Sequence, residues 1–192
     1  MDLKQTQVTE QNRSQFYQYV YPHQSESRDQ LIDIAPIDVN AIIPIDSCGW
    51  RYKELFPEKH VLPIDPLKAV QGFRLSMDKL YKVVDNRFDP NLSWPKIDAN
   101  NCAVIFDRSP ILKYRTIDQL VTLLNDVQQT YQPKFLIVRC KLKHIDSARL
   151  TDRFYDLSAI QVSNTVVDQF EYHADQDHMY MSFRKKLIYD PV

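Results

Sequence analysis

Carboxylates placed at the tips of apolar runs are the residues in this chain best equipped for chemistry. Asp46 follows Ala41–Ile45, Asp65 follows His60–Ile64, Asp85 follows Tyr81–Val84, and Asp107 follows Cys102–Phe106. A carboxylate at a buried strand's end can accept from ligand hydroxyls, or it can cap the turn or helix that comes next. Beside the first of them, Ser47, Cys48 and Gly49 read as a tight turn opening a short helix. A thiol there has a lowered pKa and nucleophilic character. No His follows at a telling distance, so a small turn-filler is the competing reading.

The elements that must position these groups follow from periodicity. Ala41–Ile45 and His60–Ile64 read as buried strands joined by a helix over Arg51–Phe56, the core of a nucleotide-binding α/β unit. Pro44 is awkward inside a ladder unless its missing N–H faces a bulge or an unpaired edge. Leu67–Leu80 is roughly helical behind Pro66, Tyr81–Val84 reads as a strand, and residues 85–101 form a long loop. Cys102–Phe106 is apolar throughout, as a strand covered on both faces must be. Thr116 caps a helix with Ile117, Leu120, Leu123, Leu124 and Val127 on one face. Pro133 stops it before the strand Phe135–Val138. Asp146–Leu157 reads as a more polar helix. Thr165–Tyr172 and His178–Phe183 alternate as an antiparallel hairpin. Residues 1–40 form an N-terminal extension with a helix at Ser25–Ile34, capped by Ser25 or Ser27 and ended by Pro36; residues 41–192 form the α/β domain.

Composition narrows the classes. The chain has 192 residues and net charge -1, with Lys+Arg 24 against Asp+Glu 25, so no global field draws it to nucleic acid or an anionic membrane. KLKH (141–144) and FRKK (183–186) are too short for a nucleic-acid patch and read as solvated element ends. No apolar run approaches the roughly 18–20 residues that span a bilayer, and the polar N-terminus lacks a secretion signal's core. A cytoplasmic location is expected. Three widely spaced cysteines (Cys48, Cys102, Cys140) argue against a disulfide framework or a zinc site. His144, His173 and His178 read as surface histidines rather than metal ligands. Trp50 and Trp94 fit the rim of a core or the face of a flat ligand. Only two glycines occur, which excludes GxGxxG and GxxxxGK[ST] loops and leaves Asn, Asp and Pro to make the turns.

Alternating strands and helices closed by an antiparallel hairpin resemble the class I S-adenosylmethionine-dependent methyltransferase family, a Rossmann-like, mostly parallel α/β fold. Ile45-Asp46-Ser47-Cys48-Gly49-Trp50 is similar to its first motif, a strand ending in Asp before Gly-Cys-Gly-x-Gly. Ser47 and Arg51 stand where that motif has glycines. Asp65 in LPIDP and Asp85 in KVVDN match the acidic residues closing its second and third strands. TIDQLVTLLNDVQQTYQPKFLIVRC is similar to the helix, turn and strand that follow its fourth strand. The resemblance implies S-adenosylmethionine held by Asp46, Ser47, Cys48, Gly49, Asp65 and Asp85. It also implies Asp107 near the acceptor as the catalytic group, with Ser109 and Tyr114 lining a substrate pocket. Asp107-Arg108-Ser109-Pro110 is loosely similar to the Asp-Pro-Pro-Tyr motif of amino-methylating members; a loop ion pair through Arg108 is the competing reading. Two functions follow: a small methyltransferase, or a degenerate relative that keeps the fold and serves as a binding or assembly module.

Overall fold

The computed structural model describes residues 27–45, 49–64, 94, 96–97, 100–112, 115–142, 156–173 and 177–191. The expectations for residues 67–84, for most of 146–157, and for Asp46, Ser47, Cys48, Asp65, Asp85, Tyr114 and His144 lie outside them.

Three apolar strands form the centre. β1 (Ala41–Pro44), β2 (Cys102–Asp107) and β3 (Phe135–Lys141) pair in parallel, with Ile43 opposite Val104 and Val104 opposite Leu136. The hairpin β4 (Thr165–His173) and β5 (His178–Lys185) completes the sheet in the order β1-β2-β3-β5-β4. Both of its pairings, β3 with β5 and β5 with β4, are antiparallel. The sheet is therefore mixed, where the sequence predicts a mostly parallel one. Because β5 alone is reversed, β4 still runs in the direction of β1–β3.

Pro44 explains why the edge beyond β1 is weak. The Ile45 N–H donates to Ile105 of β2, whereas the Ile42 N–H points the other way, to His60. Alternation turns the donor that Pro44 lacks toward the same outer side. Residues 61–64 accordingly meet β1 only through the parallel bridges Ile42–Val61 and Ile45–Ile64, not as the full second strand that the sequence predicts.

Two layers cover the sheet. α2 (Ile117–Tyr131) buries Leu120, Leu123, Leu124, Val127 and Tyr131 against Val104, Phe106, Leu136, Val138, Met179 and Met181. Each large aliphatic side chain removed from water stabilises by roughly 1.5–3 kcal/mol. Thr116 accepts from Gln119 N–H while the Gln119 side chain accepts from Thr116 N–H, closing both ends of a capping box. α1 (Gly49–Leu55) and the segment 31–39 cover the opposite face, with Tyr52, Phe56, Leu31, Ile32 and Ile34 packed on Ile42, Ala103, Ile105 and Ile137.

That segment departs from the predicted helix. Of its described residues only Arg28–Gln30 is helical, a single 3-10 turn tied by Ser27 N–H to the Gln30 side chain; residues 31–34 then run without helix. An extended backbone leaves the Ile32 N–H free to bond outward, and the sheet supplies its partners. Scarce glycine shows in the turns: Arg108, Gln132, Asn164 and Asp177 all adopt positive φ. Asn and Asp tolerate that region; for Arg108 and Gln132 the left-handed turn costs about 1–2 kcal/mol each.

Candidate functional site

The carboxyl end of β2 is the most heavily wired point described. Asp107 faces the α1 side of the sheet with its side chain fully buried. Arg139, its register partner on β3, grips it in a two-pronged pair, Nε to Oδ1 at 2.6 Å and Nη2 to Oδ2 at 2.8 Å. Tyr52 Oη donates to Oδ2 at 2.7 Å, and the Ile32 N–H lies 3.2 Å from the same oxygen. Arg108 Nε adds a bond to Oδ1 at 3.2 Å. Both arginines also donate to the Gln30 carbonyl. Segment 30–32 is thereby clasped to the tips of β2 and β3.

Burial on its own would raise the pKa of Asp107, but Arg139, then Arg108 and Tyr52, outweigh it and hold the carboxyl below the usual range. Asp107 is thus ionised and its acceptor sites are filled. A general base needs an unoccupied lone pair facing a substrate proton; these lone pairs face protein donors.

Two other expected site residues are also committed internally. Ser109 is buried and its hydroxyl donates to the Ile45 carbonyl at 2.9 Å, stitching the end of β2 to that of β1. A Cβ on Gly49 would sit 2.9 Å from the Pro44 carbonyl oxygen and 3.2 Å from Pro63 Cβ. This glycine lets α1 start hard against β1, and the space it leaves is filled by protein. Ser109 and Gly49 therefore converge on the end of β1, while Asp107 turns to the Tyr52 side. Among the described residues of the expected set, the Asp107 and Ser109 side chains are both bonded to protein groups.

Periodicity alone misses the clasp's other half. Arg139 is legible in hindsight: a cation inside FLIVRC, next to a strand ending VIFD, requires a buried anion. Tyr52 and the Ile32 N–H carry no local signal. Cys102 and Cys140 are buried in strands as expected, and burial pushes the Cys140 thiol up to about 12.

A second polar feature lies on the same face beyond β3. His178 opens β5 opposite His173 of β4, and only 6% of it is exposed. Neither of its ring nitrogens has a hydrogen-bond partner among the described residues. Burial, helped by Arg108, Arg139 and Lys141, pushes its pKa down to about 4, so the imidazole is neutral near pH 7. It borders a cavity of about 420 Å³ between segment 29–33 and β4. No group of three or more His, Cys, Asp or Glu among the described residues is arranged to hold a metal ion. No helix among them is long and apolar enough to cross a membrane. No protein-family model matches the chain, and no curated protein matches it.

Proposed function

We propose that this chain is a methyltransferase-like α/β fold used as a binding or assembly module rather than as a methyl-transfer catalyst. The observation that carries this reading is the saturation of Asp107. The group best placed to handle an acceptor's proton is spent on holding segment 30–32 across the strand tips. The strand arrangement supports the fold part of the proposal: parallel strands share one carboxyl edge, and a hairpin with one reversed strand closes the sheet.

A second reading keeps S-adenosylmethionine as a ligand at the ends of β1 and of residues 61–64. It rests on the parallel bridges that bring those two tips side by side, directly before Asp46 and Asp65. If bound, the cofactor would supply a methyl sulfonium, and the part of Asp46 and Asp65 would be to hold the ribose. Calorimetric titration with S-adenosylmethionine and S-adenosylhomocysteine separates the two. No heat at millimolar ligand is expected for the module; saturable binding that Asp65→Ala abolishes would establish the cofactor site instead. Methyl transfer to any acceptor that Asp107→Asn abolishes in a folded protein would overturn the first reading outright.

A further inference from the structure

Just past the end of β5, at the opposite end of that strand from His178, Leu187, Ile188 and Tyr189 stand 48%, 102% and 84% exposed. Large apolar side chains held this far into water in one contiguous stretch mark a contact surface when the backbone beneath them is fixed. Here it is fixed. The Leu187 N–H donates to the Asp190 carboxylate and the Asp190 N–H returns to the Leu187 carbonyl. Arg184 of β5 grips the same carboxylate through both Nη atoms at 3.0 Å, and the Lys186 N–H is tied to the Asn164 carbonyl. Residues 187–190 are therefore a built turn that holds Ile188 and Tyr189 out as a knob. A cavity of about 630 Å³ opens at the foot of this knob, with Lys186 and Pro191, on either side of the turn, at its rim. Val162, Val166, Val167 and Phe183 give it apolar walls, and Asn164 and Lys186 offer partners to a phenol hydroxyl.

We propose that two copies of this chain pair about a two-fold axis by exchange, each inserting Ile188 and Tyr189 into the other's cavity. Knob and cavity share one rim, so the exchange closes on itself rather than propagating into a filament. Area supports this occupant. Leu187, Ile188, Tyr189 and Val167, the last 49% exposed, together leave on the order of 500 Å² per copy in water, so a symmetric pair removes on the order of 1,000 Å² from these four side chains alone. The cavity walls add to that, which reaches the lower range of specific interfaces and fits a reversible dimer. Charge does not oppose the contact: Arg184 and Asp190 neutralise each other inside the turn, and Lys186 at the rim meets an uncharged phenol. The contact is independent of the Asp107 network and of the cofactor reading, both of which concern the other end of the sheet.

Sedimentation velocity of the full chain, run from micromolar to near-millimolar concentration, reads the assembly directly. A reversible monomer–dimer equilibrium is expected. The double variant Ile188→Ser/Tyr189→Ser, at side chains too exposed for the fold to need, should weaken it at least about tenfold, and so should Val167→Arg at the cavity wall. Mixing these two variants should restore part of the association, since one intact knob then meets one intact cavity; a plain face-to-face apolar contact gives no such rescue. A chain that stays monomeric at near-millimolar concentration overturns the proposal. So does a dimer whose affinity is unchanged in the knob variant, which would place the contact elsewhere. A mixture that associates no better than either variant alone overturns the exchange, and species larger than a dimer overturn its closure.

Discussion

Asp107 and His178 are both buried polar side chains on the α1 face of the sheet, near the same end of it, and they have opposite fates. Asp107 accepts from Arg139, Tyr52, Arg108 and the Ile32 N–H. His178 has no partner at either nitrogen among the described residues. A saturated buried ion is a structural device: removing a partner is costly, while the intact network fixes where one segment lies on another. A buried imidazole at the wall of a cavity costs free energy unless water or a ligand meets its nitrogens there. The contrast sets a saturated ion at the β2–β3 end against an imidazole without a side-chain partner among the described residues on the β5–β4 side.

Several measurements break or sharpen this contrast, beginning with the largest effect. Arg139→Ala strands the Asp107 carboxylate in the interior and should cost about 3–5 kcal/mol in urea unfolding. A loss under about 1 kcal/mol would mean that water reaches the carboxylate and that the clasp is not what holds segment 30–32. His178→Leu should move stability the other way. It replaces an unpaired imidazole with an apolar group of similar reach, so a gain of up to roughly 1–3 kcal/mol is expected. A marked loss would show that His178 is satisfied in solution and would erase the comparison.

Tyr52→Phe removes one donor to Asp107 and the hydroxyl that accepts from the Ile32 N–H at 2.9 Å. Its expected cost is about 1 kcal/mol, with faster amide exchange at Ile32 as the local readout. Unchanged exchange there would place the segment's anchorage elsewhere.

A pH slope gives a further readout. The folded-state pKa of His178 lies at about 4, below its ordinary 6.5. Between those values the unfolded chain binds the extra proton, so stability should fall as pH drops from about 6.5 to about 4. Arg108, Arg139 and Lys141 oppose protonation there, and Asp107 favours it only weakly. His178→Leu should flatten this window. The depressed Asp107 pKa acts lower still: its contribution is present above the ordinary carboxylate range and is lost as pH falls through the folded value. A slope that survives in His178→Leu would assign the acid response to another group.

Much of the architecture was legible because it rests on local rules. CAVIF and FLIV are too apolar to be anything but covered strands, and Thr116 with Gln119 announces the start of α2. The alternation after Thr165 marks the hairpin. Where the reading failed, a distant partner had overridden local preference. Leu31, Ile32 and Ile34 carry spacing compatible with a helix, yet the chain there is extended because Asp107 and Tyr52 capture a backbone N–H that a helix would keep for itself. Asp107 itself was readable as a strand-end carboxylate. Its saturation was not, since Arg139, Tyr52 and Ile32 lie 32, 55 and 75 residues away.

What the sequence by itself determined is therefore the three apolar strands at 41–44, 102–107 and 135–141, the closing hairpin and the capped helix α2, because burial period and caps act over a few residues. Tertiary structure alone decided which carboxylate is spent, which imidazole is spare, and that residues 61–64 stop at two bridges. Those outcomes depend on which side chains meet across the sheet, and the free energy of a buried charge or an unpaired nitrogen is set by its neighbours rather than by its own residue type.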